Sequence, residues 1–107
     1  MFAGGSYAEV GRWLLGFVNS HAKRESPRVE ASVEAGDERA GKAFGVRLRL
    51  GEEYEPPLAE PAIELSFDEV ASGKGSLAWC QTQAARLRGR ARRLLETEAA
   101  AAAGRTR

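Results

Sequence analysis

Five arginines crowd into eight residues of this chain, at Arg86, Arg88, Arg90, Arg92 and Arg93. Guanidinium groups stay charged at any physiological pH and match carboxylates and phosphates in shape, so this segment carries fixed positive charge in search of an anion. At helical spacing Arg86, Arg90 and Arg93 fall on one line, which Gln83 and Trp79 extend toward the N-terminus, while Arg88 and Arg92 form a second. Cations in a row beside an indole suit phosphates and a stacked base, which makes Trp79, Arg86, Arg90 and Arg93 the candidate nucleic-acid-binding residues. A competing reading is a solvated helix face, its cations placed toward the negative end of the helix dipole and their stems covering apolar neighbours. A third is a face that pairs with an acidic protein surface.

The charge of the whole chain sharpens this lead. Residues 71–107 hold eight Lys/Arg against two Glu, and residues 1–70 hold eight Lys/Arg against thirteen Asp/Glu, a division that the net charge of +1 conceals. Asymmetry of this kind points to a partner of opposite sign without identifying it.

The remaining reactive residues offer little. Cys80 lies on an apolar stripe, where a thiol behaves as a small hydrophobe, and no spacing argument brings His21 to it or to a carboxylate. One cysteine and one histidine make neither a disulfide nor a zinc site. Glu52, Glu53 and Glu55 lack the spaced Asp/Asn and glycine of a calcium loop, and Gly73-Lys-Gly-Ser76 lacks the spacer and order of a P-loop, reading instead as a turn with Ser76 as helix N-cap. We expect no enzyme activity, metal or cofactor.

The elements that must carry these residues follow from hydrophobic period. Ser6 with Glu9 three residues on forms a capping box, and Tyr7, Val10, Leu14, Phe17 and Val18 recur at helical spacing, with Trp13 and Leu15 widening the apolar surface. Gly11 and Gly16 weaken that helix, which should end near Ala22–Glu25, ahead of Pro27. The period then drops to two. Val29, Ala31, Val33 and Ala35 share one face of a first strand, and Phe44, Val46, Leu48 and Leu50 one face of a second. The turn signal Gly36–Gly41 closes them into a hairpin, with Val33 opposite Phe44 and Glu30 opposite Arg47, so that Val33 and Phe44 are buried while Glu30 and Arg47 face water. Acidic residues and Pro56, Pro57 and Pro61 make 51–61 a loop, after which Ile63, Leu65 and Phe67 alternate in a third, edge strand. From Leu77 to about Glu98, small and apolar residues at Leu77, Cys80, Ala84, Leu87, Ala91 and Leu94 define a long final helix.

This α-β-β-β-α order resembles that of the double-stranded-RNA-binding domain, with Gly73-Lys-Gly-Ser76 and Ala84-Ala85 at compatible spacing. Leu77, Ala78 and Gln81 stand where that family carries phosphate-gripping lysines, so the resemblance implies topology and not its activity.

The expected fold is therefore α+β, a two-layer sandwich of a three-stranded antiparallel sheet with an N-terminal and a long C-terminal helix on one face. Residues 1–98 form a single domain and 99–107 an Ala-rich, frayed helix end with a basic tail. No segment reaches the roughly 20 apolar residues of a membrane span, and the N-terminal stretch has no basic region of a signal peptide. A cytoplasmic location is expected. A helix of this length overhangs strands of eight residues, which would expose Leu94 and Leu95 as partner-binding residues. The expected function is a non-catalytic interaction or accessory protein that self-associates as a homodimer, or docks on an acidic protein partner, through its basic C-terminal helix. The alternative is a nucleic-acid-binding module.

Overall fold

The computed structural model describes residues 6–36 and 39–105. The apolar stretch before Ser6, the centre of the Gly36–Gly41 turn and the tail beyond Arg105 therefore lie outside the described residues.

Helix α1 spans Tyr7–Glu25 and starts where its capping box places it: the Ser6 hydroxyl accepts the Glu9 N–H at 3.2 Å, and the Glu9 carboxylate accepts the Ser6 N–H at 2.9 Å. That reciprocal bond, backbone contact first, holds the Glu9 carboxyl below its ordinary range. Val10, Leu14, Val18 and Ala22, a turn apart, are buried in a line. Gly11 is there for space, because a Cβ would meet the Phe44 ring at 3.0 Å, whereas a Cβ on Gly16 would meet nothing.

The sheet is built around strand β2, Ala43–Leu50, with β1, Glu30–Glu34, antiparallel on one side. On the other side β2 pairs antiparallel with β3, Glu53–Glu55, at one end and with β4, Ile63–Ser66, at the other. The α+β class and the helix at each end stand as read, but the sheet has four strands instead of three. Strand β3 comes from the acidic segment assigned to a loop. Gly51, at φ 64°, turns the chain so that Glu53 faces Leu50 and Glu55 faces Leu48, and the strand stops before Pro56.

The β1–β2 register also differs from expectation. Val33 faces Val46, Ser32 faces Arg47 and Glu30 faces Arg49, two residues along from the expected pairing. A two-residue slip preserves which side chains share a face, so the core assignment survives it. Its cause is the turn, which consumes more chain: Ala40 and Gly41 both have positive φ, the Lys42 N–H bonds the Arg39 carbonyl, and the Lys42 carbonyl accepts the Phe67 N–H at 2.8 Å. Lys42 is thereby drawn toward β4 and away from Ala35.

Phe44, Val46, Leu48 and Leu50 bury the helix-facing side of β2. Arg47 points to the opposite face, as alternation requires, yet it does not face water. It is only 7% exposed, because the Pro56–Pro57 segment folds over it and both proline carbonyls accept its guanidinium, at 2.8 and 2.7 Å, beside Glu34 at 3.2 Å. Val33 is half-buried, short of the full burial expected.

A short helix α2, Phe67–Gly73, follows β4 directly, capped by Ser66, so Phe67 opens a helix and does not extend the third strand. Helix α3 then runs Leu77–Arg105, with the Ser76 hydroxyl accepting the Trp79 N–H in the N-cap role read from the sequence. It continues past Glu98 as helix through Arg105, with Ala99–Gly104 exposed. Ala84, Leu87, Ala91 and Leu94 close the core against α1 and the sheet.

Candidate interaction surface

Helix α3 lies alongside α1 in the same direction, and this packing sorts its arginines. Arg92 reaches Glu25 at the end of α1 with an Nε to Oε1 distance of 2.9 Å. Arg90 reaches Glu55 of β3 at 2.6 Å, a pair in which both side chains are largely shielded. One turn beyond the cluster, Glu98 receives both terminal nitrogens of Arg28 at 2.8 Å. Their carboxylate hydrogen bonds raise Arg28 and Arg92 further above the ordinary arginine range. Much of the charge imbalance read along the sequence is thus balanced within the fold.

Arg86 and Arg93 stay outside this pairing. Among the described residues neither meets a carboxylate, and both are exposed; Arg86 makes one long hydrogen bond to Gln83, at 3.5 Å. Thr82, Arg86, Gly89 and Arg93 follow one another in steps of four, three and four, and all are exposed, so they form the outermost line of α3. Gly89 leaves open space on the line between Arg86 and Arg93, whose backbones stand about 10 Å apart along the axis at 1.5 Å per residue.

Trp79 does not extend that line as a stacking platform. Its indole packs on Gly73, where any Cβ would overlap it, donates its N–H to Glu69 at 3.1 Å, and lies 6.3 and 6.1 Å from the rings of Trp13 and Phe17. The fold therefore separates the four residues proposed for nucleic acid. Trp79 belongs to an aromatic cluster between α1 and α3, Arg90 to an ion pair, and only Arg86 and Arg93 remain together on the surface.

The two leucines named as partner-binding residues also change place. Leu94 is 3% exposed and is part of the core, and Leu95 packs against that core half-buried. The expected overhang begins about a turn later, because the core itself extends under Leu94 through Val29, Leu48 and Leu50.

His21 stacks edge-on against Phe17 at 4.6 Å in the seam between the helices. Burial, then the nearby Arg24 and Arg88 charges, holds its imidazole below the ordinary value of 6.5. Among the described residues, its Nδ1 and the Arg88 Nε are buried without a hydrogen-bond partner. Cys80 is half-buried and directs its thiol to the Gly73 carbonyl at 3.6 Å. Among the described residues no group of three or more His, Cys, Asp or Glu is placed to hold a metal ion, and no helix is long and apolar enough to cross a membrane.

A feature that residue type did not flag lies along β1. Tyr7, Ala8, Gly11, Arg12 and Leu15 of α1 face Val33, Ala35 and Phe44 across an open, mainly apolar groove of about 320 Å³. Leu15, which widens the apolar stripe in the sequence, is 41% exposed on its rim. No protein-family model, curated protein or solved structure matches this chain.

Proposed function

We propose that the protein is a non-catalytic interaction module that docks an acidic protein surface on the outer line of α3. The observation that carries this reading is the sorting of the arginine cluster: Arg90 and Arg92 are spent on Glu55 and Glu25, while Arg86 and Arg93 face solvent on one line with Gly89 between them. Two exposed ion pairs contribute only about 0–1 kcal/mol each, so they supply register and encounter rate, and close backbone approach at Gly89 supplies contact area. A phosphate ligand is less well served. With two unpaired arginines in place of the larger set, a log K versus log salt slope of about −2 is the most that this line supports, and its aromatic member is turned inward.

The test titrates the full chain at about 150 mM salt with poly-L-glutamate and, separately, with a duplex RNA of about 16 base pairs. Poly-L-glutamate should bind, and Arg86→Gln with Arg93→Gln should weaken it severalfold without changing the thermal midpoint. Tight RNA binding with no response to poly-L-glutamate, or indifference to the double substitution, would overturn the assignment.

A further inference from the structure

Strand β1 is at the edge of the sheet, and only part of that edge is covered. Alternation along an antiparallel pair means that residues 30, 32 and 34 exchange main-chain bonds with β2, while residues 29, 31 and 33 turn theirs outward. The outward groups at the start of the strand are occupied: the Val29 N–H bonds the Ser26 carbonyl, Lys23 Nζ bonds the Val29 carbonyl at 3.2 Å, and Asn19 Oδ1 accepts the Ala31 N–H at 3.1 Å. Past that point, among the described residues, no side chain of α1 bonds the strand's main chain. Among the described residues nothing pairs with the Ala31 carbonyl or with either main-chain group of Val33, and there the apolar groove opens.

We propose that this uncovered half-edge pairs with the same half-edge of a second copy of the chain, antiparallel, with Val33 opposite Val33 across a two-fold axis. The sequence Ala31-Ser-Val-Glu-Ala35 is symmetric in polarity about Val33. In this register Ala31 faces Ala35 of the second copy, and Ser32 faces Glu34, so no carboxylate opposes a carboxylate. Four main-chain bonds form: two between the valines, and one from each Ala35 N–H to the Ala31 carbonyl opposite. The neighbouring register, with Ser32 opposite Ser32, sets Glu30 against Glu34 and keeps only two bonds, because Asn19 and Lys23 already hold the groups it would use. Exposed Leu15 from each copy then covers the groove beside the paired strands. This surface is separate from the outer line of α3, and the interface needs neither Leu94 nor Leu95.

Sedimentation equilibrium of the full chain, from about 10 to 500 μM, tests the pairing. A dimer is expected. Ala35→Pro removes an exposed N–H used only between copies, and Leu15→Lys charges the groove rim; each should raise the dissociation constant at least tenfold with unchanged circular dichroism. Ser32→Lys should tighten the dimer severalfold by facing Glu34, the opposite of what a Ser32–Ser32 register would give. Ala85→Trp, on the outside of α3, should leave it unchanged. A monomer at the highest concentration, a dimer indifferent to Ala35→Pro and Leu15→Lys, or one lost through Ala85→Trp would overturn the proposal.

Discussion

Gly11 and Gly16 show how two identical residues in one helix acquire different roles. Each costs α1 about 1 kcal/mol relative to alanine, but only Gly11 stands over the fully buried Phe44 ring, which is itself stacked on Tyr7 at 4.5 Å. Gly16→Ala should therefore stabilise the protein by about 0.5–1 kcal/mol in urea denaturation. Gly11→Ala gains the same helix propensity, yet its Cβ crowds the Phe44 ring at 3.0 Å and must push it off its stack with Tyr7, and a net loss of about 1 kcal/mol is expected. Equal stabilisation by both would show that α1 does not approach β2 this closely. Sequence made both glycines visible and could not separate them, because the difference is a distance to a residue 33 positions away.

At the scale of elements, β2 joins the hairpin, the acidic segment and the helices. Arg47 and Arg49 lie two residues apart on the same face, and alternation alone treats them alike. Strand β3 and the chain after it decide otherwise: Arg49 remains 48% exposed in a pair with Glu30, while Arg47 is enclosed beneath Pro56 and Pro57. Arg49→Ala should cost about 0–1 kcal/mol, the value for a surface ion pair. Arg47→Ala leaves the buried Pro56 carbonyl without its donor and takes the cation from Glu34 and Pro57, and should cost about 2–3 kcal/mol. Comparable small losses at both positions in chemical denaturation would mean that the 56–62 segment does not cover the sheet. The sequence reading treated Arg47 as solvent-facing because nothing local to a strand reports what folds over it.

For the whole molecule, the resolved carboxyl and imidazole shifts act in one direction. His21 titrates lower in the folded protein than its ordinary 6.5, so below that value the unfolded chain binds the extra proton first and stability falls as the solution is acidified. Glu9 is also lowered, from 4.5, so its capping contribution is present above that value and is lost as pH falls through its folded pKa. Stability should thus decline in two stages, one starting near pH 6.5 and one below about pH 4.5. His21→Gln should flatten the first stage, and Glu9→Gln, which keeps the cap but cannot titrate, should flatten the second. Thermal midpoints measured from pH 7.5 to 3.5 check both, and an unchanged profile in His21→Gln would show that the α1–α3 seam is open to water. The fold is also long, 60 Å in its greatest extent, with a radius of gyration of 14.9 Å against about 13 Å for a compact chain of this size. That elongation comes with the 29 residues of α3.

What the sequence determined by itself was the local grammar: where α1 begins, which side chains of β1 and β2 share a face, that Ser76 opens the final helix, and that Ala84, Leu87 and Ala91 share its inward stripe. These follow from periods of two and 3.6 and from capping chemistry, which act over a few residues. Tertiary structure alone decided which charges remain available and which edge remains open. Glu55 and Arg90 are 35 residues apart, Glu25 and Arg92 67 apart, and only packing α3 beside α1 and across β3 converts a uniform basic segment of five arginines into two that are ion-paired, two exposed without a carboxylate and one, Arg88, half-buried. The same packing draws Leu94 into the core and leaves Val33 with an unpaired edge. A helical wheel records direction around an axis, but not the distance to the next element, and that distance sets both desolvation and pairing.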